Sequence, residues 1–179
     1  MNPNHKADPT KALKRVRLLL LDVDGVLTDG SIVYSDRGEE IKAFHVRDGL
    51  GIRLLMNAGI EVGVVTGRSS RALFHRCRNL GLKRVHGGVR DKTAVLEAIL
   101  VETGLAAEQT AFVADDLPDM ALLKQVGLPI AVADAAPIVR DMAAMVTLAP
   151  GGRGAVREVC EAILQAQDLW RAALRIVDG

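Results

Sequence analysis

The sequence predicts a Rossmann-like α/β fold, in which a parallel sheet carries helices on both faces and a β-hairpin follows the first strand. Short apolar runs alternate with longer amphipathic segments along most of the chain. The apolar runs are continuous, as is typical of strands that are buried on both faces of a parallel sheet. Strands are expected at 16–21, 61–65, 84–86, 110–113, 129–131 and 145–147, and helices at 50–57, 70–80, 92–103, 119–126, 137–142 and 153–170.

The segment 31–44 interrupts this alternation of strands and helices. Apolar and polar residues alternate there on either side of a turn at 35–38, a pattern that favours an inserted β-hairpin. The chain therefore divides into a flexible N-terminal tail at 1–15, a core at 16–150, and a glycine-rich joint with a terminal helix at 151–179. Because glycine permits unusual backbone paths or mobility, we expect deletion of the residues after Pro150 to change activity more than folding.

The composition excludes several classes of protein. The 179 residues are 49% apolar and carry a net charge of +1, which argues against disorder and against a general nucleic-acid or anionic-membrane surface. No apolar run approaches the ~20 residues of a membrane span, so a soluble cytoplasmic protein is expected. Cys77 and Cys160 are far apart and are expected to be reduced core residues. Arg outnumbers Lys 16 to 7, which favours recognition of carboxylates or phosphates.

Polar side chains follow the predicted strands where each strand ends. In a parallel sheet these positions share one edge, where ligands bind. Asp22 and Asp24 converge on one pocket if the chain bends at Gly25. The side chains expected at this edge are Asp22, Asp24, Thr66, Arg68, Lys92, Asp115, Asp116 and Asp119.

This set of residues indicates phosphoryl chemistry with a metal ion. Clustered carboxylates without sulfur or imidazole suit Mg²⁺, which shares its ligands with substrate phosphate. One carboxylate can act as a nucleophile, while Lys92 and Thr66 stabilise phosphoryl oxygens. Any single Asp here is more simply explained as a helix cap or a turn residue, but capping does not predict the ordered set.

The set resembles the four motifs of the haloacid dehalogenase superfamily of phosphotransferases. The motifs are DVDG from Asp22, VVTGR around Thr66, Lys92, and ADDLPD from Ala114, where the superfamily commonly has Gly. The resemblance implies that Asp22 is the nucleophile and Asp24 the general acid–base. It also implies Mg²⁺ bound by the Asp22 carboxylate, the Asp24 carbonyl and Asp115, with Asp119 supporting the metal's waters or Lys92.

A closer resemblance is to the cap-less phosphatases of 3-deoxy-D-manno-octulosonate 8-phosphate, which act in lipopolysaccharide precursor biosynthesis. It rests on DVDGVLTDG, the hairpin, HVRDG from His45 and GGRGAVREV from Gly151. It implies a homotetramer that lacks a cap domain, in which a neighbour's surface and tail complete each site. The expected contacts to the phosphorylated sugar acid are Val46, Arg47, Asp48, Gly49, Arg53, Arg68, Arg76 and Arg153. His45 stands where this family usually has Asn, which leaves the sugar end of the site less defined.

Alternative functions remain open from the sequence. A related cap-less phosphatase of a sialic-acid-like nonulosonate 9-phosphate would carry nearly the same motifs. A phospho-acceptor signalling module uses a similar set of acids, Thr and Lys, but Asp24 argues against it, because a switch gains nothing from rapid hydrolysis. A non-catalytic relative is disfavoured because every catalytic residue type is retained.

Overall fold

The computed structural model describes residues 9–175 and contains a six-stranded parallel sheet and a separate hairpin. The strands are β1 Leu18–Leu21, β2 Val33–Tyr34, β3 Glu40–Ile41, β4 Glu61–Val65, β5 Arg84–His86, β6 Thr110–Ala114, β7 Leu128–Ala131 and β8 Met145–Val146. The α-helices are α1 Pro9–Arg15, α2 Val46–Asn57, α3 Arg71–Leu80, α4 Lys92–Thr103, α5 Met120–Leu123, α6 Pro137–Met142, α7 Ala155–Ala166 and α8 Trp170–Arg175. Within the described residues, no helix is long and apolar enough to cross a membrane.

The sheet has the order β5-β4-β1-β6-β7-β8, and all its pairings are parallel. Every residue of β1 and β6 is buried, because helices cover both faces of the sheet. From β1 the chain first builds towards one edge through β4 and β5, and it then crosses to β6 on the other side of β1. The direction of winding thus reverses beside β1, where ligands bind in open α/β sheets. The predicted fold class is confirmed, and the strand ends lie within two residues of those expected.

The hairpin is confirmed, with shorter strands than the sequence suggested. Val33 pairs with Ile41 and Tyr34 with Glu40 in an antiparallel register. The turn is closed by a hydrogen bond of 2.9 Å from the Gly38 amide to the Ser35 carbonyl oxygen. The hairpin lies outside the main sheet and brings its β3 side back towards the end of β1, as described below.

Several helices differ from expectation. Helix α2 begins at Val46 rather than at 50, so that the HVRDG segment is largely helical. A 3₁₀ turn at Leu117–Asp119 and the short α5 replace the helix predicted at 119–126. The terminal helix breaks into α7 and α8 near Asp168, which has a left-handed φ of 59°.

The N-terminal segment that was expected to be a tail contains α1. Ala12 and Leu13 of this helix are partly buried and pack against the core, and this packing stabilises the short helix. Residues 1–8 lie outside the described part of the chain.

The glycine-rich joint is a packed backbone path. A Cβ at Gly151 would lie 1.7 Å from the Gly25 carbonyl oxygen, and one at Gly152 would lie 2.4 Å from the Thr28 carbonyl carbon. The Gly152 amide also donates a hydrogen bond of 2.9 Å to the Val26 carbonyl oxygen. Only glycine permits the joint to lie this close to the loop after β1.

Helix α7 belongs to the hydrophobic core. It packs on α2, and its fully buried side chains are Ala155, Val156, Val159, Cys160, Ile163 and Leu164. This burial argues against the expectation that deletion after Pro150 changes activity more than folding, because the deletion would expose this core face. Cys77 and Cys160 are buried free thiols, as predicted.

Candidate active site

The predicted catalytic side chains meet at the carboxyl edge of the three central strands. Asp22 follows β1, Thr66 follows β4, and Asp115 follows β6. They line one cavity of about 340 Å³. Its lining also includes Asp24, Gly30, Gly67, Arg68, Val89, Arg90, Lys92, Asp116, Pro118 and Asp119. The parallel register thus brings together residues up to 97 positions apart, from Asp22 to Asp119.

A buried lysine joins two of the carboxylates. Lys92, the first residue of α4, places its Nζ 2.9 Å from Asp22 Oδ1 and 2.5 Å from Asp119 Oδ1. All three residues are at most 8% exposed. Burial alone would lower the pKa of Lys92, but the charges of Asp22 and Asp119 outweigh it and raise the pKa above its usual value. Lys92 therefore stays cationic beside the predicted nucleophile.

The chain bends at Gly25, as the sequence suggested. Its φ of +84° suits glycine, and a Cβ there would lie 2.0 Å from Asp115 Oδ2. After the bend, the amides of Val26, Leu27 and Thr28 all donate hydrogen bonds to the Val23 carbonyl oxygen. The loop therefore turns tightly against Asp115, which any larger residue at position 25 would displace.

Three carboxylates form a group suited to a hard cation. Asp22, Asp115 and Asp119 each offer an oxygen within 4.8 Å of the other two. Asp22 Oδ1 is buried and accepts no hydrogen bond from any described residue, apart from its ion pair with Lys92. Burial, reinforced by the charges of Asp22, Asp119 and Asp116, raises the pKa of Asp115 to about 7. Excess negative charge and free oxygen ligands fit Mg²⁺.

Burial also raises the pKa of Asp119, with a further contribution from Asp22 that Lys92 opposes. The ion pair between Asp119 and Lys92 matches one of the two roles expected for Asp119, the support of Lys92. The Asp24 carboxylate lies outside the three-carboxylate group. This fits the expectation that a metal would meet the backbone carbonyl of Asp24 rather than its side chain.

Asp24 instead contacts cations from two other segments. Its Oδ1 contacts Lys42 Nζ of the hairpin, and its Oδ2 lies 3.5 Å from Arg68 Nε. Lys42 and Arg68 also bind Glu40, at 2.7 Å and 3.0 Å. Sequence reasoning missed Lys42 and Glu40, although their alternation around Ile41 in the second strand places them on one face of the hairpin.

Thr66 is placed as predicted. It is 2% exposed and lines the cavity, and its Oγ1 accepts a hydrogen bond of 3.3 Å from the Arg68 amide. The Thr66 backbone is fixed by bonds with the His86 carbonyl and the Val89 amide. No described residue accepts a hydrogen bond from the Thr66 hydroxyl, so this group can donate to a bound oxyanion.

Of the predicted sugar-acid contacts, Arg68 lines this cavity. Asp48 has a different local role: it is 1% exposed and accepts hydrogen bonds from the amides of Arg157, at 2.8 Å, and Gly154, at 3.3 Å. These amides lie at the start of α7, whose N-cap residue is Gly154 and therefore supplies no side chain. The Asp48 carboxylate thus caps α7 from α2, and Asp48 is not among the described residues that line the cavity.

Arg76 and Gly49 also contact each other away from the carboxylates. Arg76 Nη2 donates to the His45 carbonyl oxygen at 3.4 Å, and its guanidinium lies 6.0 Å from the centroid of the Phe44 ring. A Cβ at Gly49 would lie 2.1 Å from Arg76 Nη2, so glycine is required for this close approach. Arg76 thereby links α3 to the start of α2 rather than lining the cavity of its own chain.

The remaining predicted contacts are exposed. Val46 is 77% exposed, and Arg47 and Arg53 lie on the surface of α2. Arg153 is exposed in the glycine-rich joint, with its Nη2 3.5 Å from Asp29 Oδ2. Among the described residues these four do not line the cavity, so the structure does not bring them together with Asp22.

Comparison with known proteins gives a consistent set of relatives. Residues 86–157 match the model of the haloacid dehalogenase-like hydrolases. The chain is 46% identical to the 3-deoxy-D-manno-octulosonate 8-phosphate phosphatase of Escherichia coli K12 over 90% of this chain and 86% of that protein.

Two solved structures are similar over most of the chain. The phosphatase of the same name from Yersinia pestis is 45% identical, with a TM-score of 0.90, over 92% of this chain and 89% of that one. The one from Moraxella catarrhalis, in complex with a magnesium ion, a phosphate ion and KDO, is 37% identical, with a TM-score of 0.91, over 94% of this chain and 97% of that one.

The Asp48 cap predicts a specific pattern of stability. Asp48→Ala should lower the free energy of unfolding by about 1–2 kcal/mol, because two amides at the start of α7 lose their acceptor. Asp48→Asn should cost less, because its single amide oxygen still accepts from the Arg157 amide and burial, which raises the pKa of Asp48, no longer opposes a charge, although the bond from the Gly154 amide to the second oxygen is lost. Urea denaturation of the two variants, with exposed Asp141→Ala as control, measures the difference. Equal losses in the Asn and Ala variants would contradict the cap.

The raised pKa of Asp115 predicts pH-dependent magnesium binding. Below pH 7 a proton occupies the carboxyl and must leave before the cation binds, so the dissociation constant for Mg²⁺ should rise about tenfold or more per pH unit from 6 to 5. Above pH 8 it should be nearly constant. Isothermal titration calorimetry in two buffers of different ionisation enthalpy should detect proton release at pH 6 and none at pH 8.5. Equal affinities at these two pH values would contradict this assignment.

Proposed function

The chain belongs to the 3-deoxy-D-manno-octulosonate 8-phosphate phosphatase family of the haloacid dehalogenase-like hydrolases, and we propose that it hydrolyses that ester to the free sugar acid and phosphate. The observation that carries the proposal is the cavity that unites Asp22, Thr66, Lys92 and Asp115 in a chain 46% identical to such a phosphatase. The reaction would supply a free sugar acid to lipopolysaccharide precursor synthesis.

Asp22 acts as the nucleophile in this proposal. Its carboxylate oxygen attacks phosphorus and forms an aspartyl phosphate while the bond from phosphorus to the sugar oxygen breaks. Lys92 supports the role, because its Nζ holds Asp22 Oδ1 at 2.9 Å and brings a positive charge to the phosphoryl oxygens. Thr66 donates its hydroxyl hydrogen to another of these oxygens.

Asp24 acts as the general acid–base. It gives its proton to the departing sugar oxygen, and it then takes a proton from the water that attacks the aspartyl phosphate and releases phosphate and Asp22. The Asp24 Oδ2 atom accepts no hydrogen bond from any described residue, and its contact is the longer ion pair with Arg68 Nε at 3.5 Å, which leaves its lone pairs available for the exchange. Two carboxylates two residues apart thus have separate tasks.

Magnesium would be held by the carboxylates of Asp22 and Asp115 and the carbonyl of Asp24, with Asp119 behind them, and would neutralise charge on the transferring phosphoryl group. The structure of the Moraxella catarrhalis relative holds a magnesium ion and a phosphate ion, which supports the choice of this metal. Within this chain, Gly25 keeps the space that Asp115 needs, and Lys92 keeps Asp119 in place.

We further propose a homotetramer whose neighbouring subunits complete the sugar-acid site. Arg47, Arg53 and Arg153 are exposed and lie outside the cavity of their own chain, so a neighbour's cavity is where they would meet a substrate carboxylate. Large apolar side chains are exposed on and beside the hairpin, as expected of a contact surface. They are Ile32, Val33, Tyr34, Ile41 and Val46.

We also propose a cytoplasmic location, which the free thiols of Cys77 and Cys160 support. The location is tested by fractionating native cells and probing each fraction for the protein with an antibody. Recovery of the protein in a secreted or periplasmic fraction would contradict it.

The tetramer predicts a defined mass in solution. Sedimentation equilibrium should give four chains of 19.1 kDa for the wild type, and Val33→Asp should dissociate it, because a charge would be buried in the hairpin contact. Val101→Asp is the matched control, since Val101 is 85% exposed on α4. A wild-type mass equal to one chain would contradict the tetramer. A mass equal to two chains would also contradict it and would favour a dimer.

The function is tested by a panel of phosphorylated sugar acids with Mg²⁺ or with EDTA. We expect hydrolysis of 3-deoxy-D-manno-octulosonate 8-phosphate only with the metal, and no phosphate release by Asp22→Asn, because an amide is a poor nucleophile. Asp141→Asn, at an exposed site on α6, should keep wild-type activity. A tenfold or greater preference for a nonulosonate 9-phosphate would favour the alternative substrate, and turnover by Asp22→Asn would contradict the mechanism.

A further inference from the structure

Four charged side chains form a closed ring at the junction of the hairpin and the sheet. Asp24 contacts Lys42, Lys42 Nζ lies 2.7 Å from Glu40 Oε1, Glu40 Oε2 lies 3.0 Å from Arg68 Nη2, and Arg68 Nε lies 3.5 Å from Asp24 Oδ2. Each carboxylate therefore meets one cation with each of its oxygens. The ring joins the loop after β1, the strand β3 and the loop after β4.

We propose that Lys42, held by Glu40, is a positioning residue that orients the Asp24 carboxyl towards the leaving oxygen of the substrate. The inference rests on the proposed phosphatase function and adds to it the reason for the hairpin at this place in the fold. Lys42 would act through Asp24 and would leave the nucleophile and the metal group untouched.

The burial of Lys42 is the first argument. Its side chain is 3% exposed, whereas the neighbouring Ile41 is 52% exposed. A short exposed hairpin thus turns an apolar residue to the surface and a lysine inwards, the reverse of the usual preference. A buried ammonium is costly unless it is paired, so the two carboxylates are what keeps it there.

The second carboxylate on Lys42 is the second argument. Lys42 Nζ lies 2.7 Å from Glu40 Oε1, and Glu40 Oε2 lies 3.0 Å from Arg68 Nη2. Glu40 therefore binds Lys42 in addition to Asp24, and this second contact limits the movement of the Lys42 ammonium.

The position of the ring relative to the other lysine is the third argument. Lys92 forms ion pairs with Asp22 and Asp119. Lys42 forms ion pairs with Asp24 and Glu40, so the two lysines share no carboxylate. The two predicted catalytic carboxylates are thus oriented by separate cations from different segments. Arg68 closes the ring from a side chain that is 42% exposed, so Lys42 is the buried member that can fix the geometry.

This division predicts a loss that depends on the leaving group. A sugar alkoxide needs the Asp24 proton to depart, whereas p-nitrophenolate departs with little help. Lys42→Met should lower kcat/KM for the sugar phosphate by at least about tenfold, within the range of general acid catalysis, and lower it less than about threefold for p-nitrophenyl phosphate. Because kcat/KM reports the steps through the first irreversible one, the comparison isolates the transfer to Asp22.

Two further variants and one binding measurement complete the experiment. Glu40→Gln should show the same selective loss in weaker form, Lys42→Arg should recover part of the sugar-phosphate activity, and Lys83→Met, at an exposed site, should match the wild type. The dissociation constant for Mg²⁺ should not change in Lys42→Met, since Lys42 lies outside the carboxylate group. If Lys42→Met does not fold, the test is the ratio of the kcat/KM values of Glu40→Gln on the sugar phosphate and on p-nitrophenyl phosphate, compared with the wild-type ratio.

The possible failures are distinguishable. Absence of hydrolysis by the wild type would overturn the proposed function itself. Equal losses on both substrates, or unchanged activity on both, in Lys42→Met would overturn the positioning role while leaving the phosphatase intact.

Discussion

Repulsion between carboxylates crowded at the carboxyl edge of one sheet is the constraint on which the arrangement of the site depends. Asp22, Asp115 and Asp119 offer oxygens within 4.8 Å of one another, and Asp24 follows two residues after the first. Burial and, after it, this negative charge favour protonation, and together they raise the pKa of Asp115. The fold offsets it with Lys92 and Lys42, one buried ammonium on each side, and the remaining negative charge suits a divalent cation.

The scaffold tolerates this crowding because backbone packing fixes the loops that carry the carboxylates. The buried strands β1 and β6 fix the starting points of both acidic loops, and Gly25 lets those loops approach to a distance that no side chain at that position would allow. The Asp48 carboxylate accepts a hydrogen bond from the Gly154 amide at the start of α7, and the apolar face of α7 packs in the core against α2. Backbone packing therefore determines the positions of the acidic loops. The contacts between charged side chains then orient the carboxylates within those loops.

Much of the fold and the catalytic edge follows from the sequence, because both depend on local signals. Continuous apolar runs identify the strands, and polar residues directly after them must share an edge in a parallel sheet, so Asp22, Thr66 and Asp115 could be placed without coordinates. Lys42, Asp48 and Arg76 could not. Lys42 reaches Asp24 across 18 positions and Asp48 reaches Arg157 across 109, and no local pattern encodes such pairs. The resemblance to a family supplied candidate contacts, but it did not tell which side chains face a ligand and which bind their own backbone.

The contact between the glycine-rich joint and the loop after β1 has a consequence for protein synthesis. Gly151 and Gly152, which pack against Gly25 and Thr28, leave the ribosome more than 120 residues after the loop that carries Asp24. A nascent chain can therefore form the first strands and still lack the surface that holds this loop in place. The loop that carries Asp24 therefore reaches its final packing only after the glycine-rich joint has been synthesised and has folded back onto it.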